Sequence, residues 1–372
     1  MKTKLATAIA FSLLAGTTFA APTFYGEIDA TVDYLPEDNA SPVSDRDVIE
    51  LNTNNSFLGL KGEEKLTDRL SGLYQAEFTF YVDNGGSNDT FVPRNLLVGL
   101  KDEKLGTVKL GKIDTPVKQL SSVVDTFNNY VANKADMAGI FTGENRIDNV
   151  VVYEAPGFAV GEGKLKATAL LATGEAGGIS SSKGGAKVAG RGLGDAWSAS
   201  VVYDSPVVVA GVAYDKAIPT NFLGRGFDNA SAPEVTGGTL FAAANTIRAI
   251  GRVNLDGGLA LKALYQTSEV ADVDAASKAV DLLIDDAQGW LIGAEYNLPN
   301  AKAWTVKGQY SQNTTSFKDN TADYEAQQIF VGADYAFSKQ VKAYGYAGYL
   351  TLERGSLETK QPVVGTGLEY KF

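Results

Sequence analysis

The stretch FYGEIDATVDY, residues 24–34, decides the fold class. On an extended chain Phe24, Gly26, Ile28, Ala30, Val32 and Tyr34 share one side. Tyr25, Glu27, Asp29, Thr31 and Asp33 share the other. The same period of two recurs along the chain. Tyr74, Ala76, Phe78 and Phe80 alternate with Gln75, Glu77 and Thr79. Ile247 to Leu255 alternates with Arg248, Arg252 and Asn254, and Trp290 to Leu298 with Gly293, Glu295 and Asn297. Trp304, Val306 and Tyr310 alternate with Thr305, Lys307 and Gln309. At the end, Val364, Thr366, Leu368, Tyr370 and Phe372 oppose Gly365, Gly367, Glu369 and Lys371. The polar sides carry full charges at mid-strand, which the closed core of a β-sandwich cannot hold unpaired. The apolar sides begin or end in aromatic rings, which suits the two interfaces of a bilayer. Apolar side to lipid and charged side to a water-filled lumen is the arrangement that accommodates both.

Working outward, sixteen such segments are found: 23–35, 50–61, 69–82, 93–101, 105–113, 147–155, 164–174, 194–204, 206–215, 243–255, 258–269, 288–298, 303–314, 325–337, 340–352 and 362–372. Short connections (62–68, 102–104, 156–163, 205, 256–257, 299–302, 338–339) alternate with long ones (36–49, 83–92, 114–146, 175–193, 216–242, 270–287, 315–324, 353–361). This predicts an all-β chain: a transmembrane antiparallel up-and-down β-barrel of 16 strands, with short periplasmic turns and long outer loops. Sixteen strands leave an aqueous channel where eight would be filled by side chains. The Gly- and Ser-rich segment 174–194 reads as a mobile outer loop.

Residues 1–20, MKTKLATAIAFSLLAGTTFA, read as a signal peptide. Lys2 and Lys4 precede an apolar run, and Thr18 and Ala20 stand before a cleavage point at Ala21. A single domain over 21–372 follows. The 372-residue chain has 33 basic and 44 acidic residues, no His and no Cys, and a net charge of -11. Losing Lys2 and Lys4 makes that -13. Disulfides, thiolate chemistry, Ser-His hydrolysis and His-ligated metal are excluded. The acidic balance argues against nucleic acid.

Several stretches resemble the Gram-negative general diffusion porins: FYGEIDATVDY at 24–34, SFLGLKG at 56–62, RNLLVGLKDEKLGTVKLGK at 94–112, RIDNVVVYEAP at 146–156 and the terminal Phe372. The resemblance implies a homotrimer of 16-stranded barrels among outer-membrane lipids and lipopolysaccharide, passing small polar solutes and ions without a cofactor. It implies that the third long loop, about 114–146, folds into the lumen and narrows it. The expected constriction residues are Asp136, Asp125, Glu144, Arg94, Arg146 and Lys109, with Lys112 nearby. Phe372 is the expected assembly signal. The loop tip DMAGIFTG at 136–143 departs from the PEFGG-like tip of many enterobacterial members, with Ile140 in place of their glutamate. Independently of the family, a loop of this length inside a compact domain points to function. Opposed charges across a narrow aqueous gap order polar solutes and set ion preference.

Small residues Gly26, Ala30, Gly365 and Gly367 are expected to allow close contact between protomers. The acids Glu27, Asp29, Asp33, Glu77, Glu295 and Glu369 favour cations, against Arg248, Arg252, Lys164, Lys166, Lys262 and Lys307. The acidic segment 269–286 lacks the spacing of a Ca²⁺ loop and reads as a solvated loop. GRGLGDAW at 190–197 has neither the Lys nor the helix of a phosphate loop. Nothing singles out a glycosidase carboxylate pair. Other readings of the barrel are a substrate-specific channel, for which Tyr344 and Tyr346 make too short an aromatic track, and a surface adhesin or structural barrel.

Overall fold

The computed structural model describes residues 21–36, 47–83, 91–130, 136–224, 240–318 and 321–372. The expected signal segment 1–20 lies outside the described residues. One half of the sheet is β1 (Thr23–Leu35), β2 (Val48–Thr53 and Phe57–Lys65), β3 (Leu70–Thr79), β4 (Val92–Asp102), β5 (Gly106–Asp114), β6 (Arg146–Glu154), β7 (Gly163–Ala172) and β8 (Ala196–Asp204). The other half is β9 (Val208–Asn221), β10 (Phe241–Leu255), β11 (Leu259–Val270), β12 (Ile284–Asn297), β13 (Trp304–Phe317), β14 (Tyr324–Ala336), β15 (Val341–Arg354) and β16 (Leu357–Lys371). All sixteen expected strands are present, each antiparallel to its neighbours, in a closed 16-strand barrel. β16 closes on β1 with Ala30 opposite Leu368 and Asp33 opposite Gly365. Closure leaves no edge with unpaired backbone groups, the condition for a sheet to cross lipid. Phe372 completes the seam, exchanging both backbone hydrogen bonds with Gly26 at 3.1 Å.

β2 is interrupted at Asn54–Ser56. Asn55 takes φ 62, a left-handed backbone that a short polar side chain tolerates. Ser56 Oγ accepts the amide of Asp29 across the gap at 2.9 Å.

The faces follow the period of two. Ile28, Val32, Val98, Leu100, Ile247, Ile292, Val331 and Leu368 are exposed on the outside. Glu27, Asp29, Asp33, Arg248 and Lys307 are buried inside. Two aromatic girdles bound the outer band. Trp290 and Tyr310 pack at 5.1 Å at the long-loop end. Trp304, Tyr335 and Phe337 pack at 5.0 and 4.9 Å at the short-turn end. Trp304 and Tyr310 lie six residues apart on β13, roughly 20 Å of strand.

Two expectations are corrected. The connection at 353–361 is not a long loop. β15 and β16 continue until Arg354 opposes Leu357, and Gly355–Ser356 make a two-residue turn. Above the bilayer both faces meet water, so the apolar alternation that marks a strand disappears. Gly365 and Gly367 do not offer contact to another protomer. They face the lumen, where a side chain would overlap the rings of Tyr346 and Tyr344.

Candidate pore constriction

We number the outer connections L1 to L8 from the chain start. L3 leaves β5 at Thr115 and enters the barrel. Thr115 caps helix α1 (Pro116–Val124): its Oγ1 accepts the Lys118 amide at 3.2 Å, and Pro116 occupies the first helical position, where no N–H is needed. Val117, Leu120 and Val124 share one side of α1 and are buried; Lys118, Gln119 and Ser122 share the other. The apolar side packs on an apolar part of the inner wall made by Ala213, Ile250 and Leu264. Contact is close enough that a Cβ at Gly211 would lie 2.9 Å from Leu120 Cδ2.

L3 then crosses to the β14–β15 wall. Phe127 packs on Phe330 at 5.6 Å, and Tyr130 packs on Tyr344 at 4.5 Å and Tyr346 at 4.9 Å. The Tyr344 and Tyr346 hydroxyls donate to Asp29 and Asp33. Lys307 Nζ sits 2.5 Å from the Tyr130 hydroxyl and 2.8 Å from Asp334. These tyrosines brace the loop; they do not line a track. Burial raises the Tyr130 hydroxyl well above its ordinary value, with Asp334 adding to the effect.

The chief fastening is Arg248 on β10, which is 0% exposed. Its Nη1 donates to Glu144 Oε1 at 2.5 Å, Ser121 Oγ at 2.6 Å and Val117 O at 3.0 Å. Its Nη2 donates to Thr142 O at 2.8 Å, and its Nε to Gln266 Oε1 at 2.9 Å. One guanidinium thus joins both ends of L3 to the β10–β11 wall, using the planar fork that lysine lacks.

Asp125 and Asp136 shape the far bend of L3. Asp125 accepts the Met137 amide at 2.9 Å, Gln309 Nε2 at 3.0 Å and the Phe127 amide at 3.2 Å. Burial pushes its carboxyl up from the ordinary value, against the pull of those donors. Asp136 caps the single helical turn Met137–Gly139, accepting the Ala138 amide at 2.8 Å. Ile140, at the place of the enterobacterial glutamate, is fully buried.

Between L3 and the wall of β2–β6 a cavity of about 690 Å³ stays open. Asn55, Arg94, Asp114, Lys118, Gln119, Ser122, Asn129, Asp136, Glu144 and Arg146 are among its lining residues. Arg94 is held by Asn55 Oδ1, by the Phe57 ring at 4.8 Å and by Glu77 at 3.9 Å. Asp114 pairs with both Lys118 and Arg146 at 3.1 Å. Of the residues expected here, Asp136, Glu144, Arg94 and Arg146 are brought to one cavity. Glu144 arrives there already paired with Arg248. Asp125 lies behind L3, against Gln309. Lys109 pairs with Glu154 at 2.5 Å, outside the cavity lining, and Lys112 pairs with Asp148 at 3.0 Å. Arg248, Lys118 and Asn55 were not singled out for this site. For Lys118 a signal existed: Thr-Pro before Val117, Leu120 and Val124 is a helix start with one apolar side.

A family model described as Gram-negative porin matches residues 6–355. The major outer membrane protein P.IA of Neisseria meningitidis serogroup C is 28% identical over 182 residues, 45% of this chain and 46% of that protein. The chain thus spans about half the length of the first curated relatives it matches. The major outer membrane protein P.IB of Neisseria lactamica is 24% identical over 382 residues, 97% of this chain and 99% of that protein. Among solved structures, the anion-selective porin from Comamonas acidovorans superposes with TM-score 0.66 at 21% identity, covering 95% of this chain and 99% of that one. That last likeness is one of fold.

Proposed function

The chain belongs to the Gram-negative porin family, with its barrel in the outer membrane, and we propose that it forms a channel for passive diffusion of small hydrophilic solutes and ions. The observation that carries this reading is the open cavity of about 690 Å³ between L3 and the β2–β6 wall, lined by opposed charges. A polar solute entering it exchanges bulk water for these fixed charges, whereas an apolar one loses ordered water without compensation. The solute gradient supplies the driving force, and no bond is made or broken.

We further infer a weak preference for anions. Arg94, Lys118 and Arg146 face Asp114, Asp136 and Glu144 in the lining, and Arg248 stands directly behind Glu144. With Glu77 behind Arg94 the charges balance in number, but Lys118, at 27% exposure, is the most exposed of them, so the face met by a solute is basic. Of the acids that suggested cation preference, Glu77 stands behind Arg94 at 3.9 Å; the others lie elsewhere, Glu27 and Glu369 paired with Lys371, Glu295 with Lys262, and Asp29 and Asp33 capped by tyrosines. Such rings of fixed charge set ion preference at short range.

The test is recording from purified protein in planar bilayers under a salt gradient. Stepwise conductance with a reversal potential on the anion side supports the reading. Absence of conductance, with binding of a partner by the outer loops, would favour the adhesin or structural barrel. We also propose assembly as a homotrimer in contact with lipopolysaccharide, to be checked by migration in detergent before and after heating. Phe372, in the closing seam, is proposed as the assembly signal, and its deletion should lower outer-membrane yield.

A further inference from the structure

L4, residues 173–195, is not a freely hanging loop. Ala176 bridges Gly190, and Ser180–Ser182 pairs with Gly185–Lys187 around a turn in which Gly184 takes φ 67. The hairpin folds back onto the barrel rim, where Ala186 pairs in parallel with Ile147 at the start of β6. Ala186 and Val188 are buried against the inner-wall residues Ile147 and Leu170. Arg146 Nη1 donates to Gly184 O at 3.1 Å, and Lys112 Nζ donates to Ser182 Oγ at 3.2 Å. At the base, the Ile179 amide donates to Asp274 Oδ2 at 2.7 Å. Asp274 also caps the helix Ala275–Asp281 of L6.

The glycines of the turn have a steric reason. A Cβ at Gly184 would overlap the Pro93 carbonyl oxygen, and one at Gly185 would come within 2.5 Å of Arg146 O. Only residues without side chains approach the wall so closely. Gly184 and Gly185 line the same cavity as Arg94, Lys118 and Asp136.

We propose that the L4 hairpin is a fixed second wall of the constriction, and that Arg146 is the positioning residue that couples it to L3. Arg146 binds Gly184 O on one side and Asp114, the last residue before L3, on the other. Pore size then depends on L4 seating as well as on L3. This inference rests on the channel reading.

The chain has no native Cys, so it can be pinned cleanly. Conductance and liposome permeation by sugars of graded size are measured for the wild type, Gly184→Val, a variant with 180–187 replaced by a short Gly-Ser linker, and the oxidised pair Ala186→Cys with Ile147→Cys. We expect larger conductance and passage of larger sugars from the first two variants, and wild-type behaviour from the pinned one. Arg146→Lys, which keeps the charge but lacks the fork that holds Gly184 O and Asp114 together, should widen the sieve as Gly184→Val does and move the reversal potential less than Arg146→Gln. Wild-type sieving in both Gly184→Val and the linker variant would overturn the proposal. Loss of conductance on pinning, restored by reduction, would overturn it too, since the hairpin would then be a moving lid. A wild-type protein silent in bilayers would instead overturn the channel reading beneath it.

Discussion

The lumen has two sides, and L3 divides them. On the covered side, from β8 round to β1, the inner wall meets L3 with apolar residues and hydrogen-bonded pairs: Leu120 on Ile250, Tyr130 on Tyr344, Arg248 on Glu144. On the open side, β2–β6 present Asn55, Arg94, Asp114 and Arg146 to the unfilled cavity. Both sides obey the same rule of alternation, with lipid outside and luminal residues inside. The difference is whether the inward residues are covered by L3 or border the cavity. Burying a charge without a partner is costly, so the covered side mostly avoids charge or pairs it, Asp215 on β9 being buried without an ion pair. The open side keeps its charges within reach of a passing solute.

The contrast breaks most severely if its fastening is removed. Arg248→Ala leaves Glu144 buried without its partner, at a cost of about 3–5 kcal/mol to L3 docking. The expected outcome is a folded barrel with fluctuating, enlarged conductance. Steady single-level currents at the wild-type value would show that L3 is held by other contacts. Glu144→Gln combined with Arg248→Met should recover part of the steadiness, because it removes both charges together.

A smaller break comes from the β14–β15 part of the covered side. Tyr130→Ala removes a ring packed on two others and is expected to weaken docking by about 3 kcal/mol. Water should then reach Tyr344, and its ring should become accessible to a small chemical probe. Continued protection of Tyr344 would mean that the covered side stays closed without Tyr130.

Charge substitutions sharpen the contrast without disturbing it. Asp136→Asn should move the reversal potential further toward anions, and Arg94→Ser toward cations. The effect is largest near 10 mM salt, where the screening length is about 30 Å. Unmoved reversal potentials in both would remove these two residues from the ion path. The smallest effect is expected behind the loop. Asp125→Asn loses one acceptor oxygen to three donors, about 1 kcal/mol, and should leave selectivity unchanged because the side chain does not line the cavity. A selectivity shift as large as that of Asp136→Asn would place Asp125 on the open side.

The barrel was legible because its cause is repetitive. Lipid on one face and water on the other impose a period of two on every spanning strand, and aromatic rings mark the bilayer's edges. Residues 24–34 alone carry that pattern, and sixteen repeats of it predict a closed, water-filled barrel. The reading failed where the cause stops: beyond the bilayer, β15 and β16 continue with polar residues on both faces and no alternation marks them. Asp136 and Arg146 were expected near the constriction because they lie in L3 or on the strand that leaves it, and Arg94 because its surroundings resemble those of the family's wall arginines. What only the tertiary structure decided is which luminal residues L3 covers. Arg248 reads in sequence like Lys262 or Lys307, one more inward charge, yet it binds Glu144 across 104 positions of chain. Gly184 reads as a flexible loop residue, yet it is pressed against Pro93. Alternation fixes which face a residue takes, because that depends on its immediate neighbours. Which partner it meets inside depends on how a long loop packs, and that is set by contacts between residues far apart in the chain.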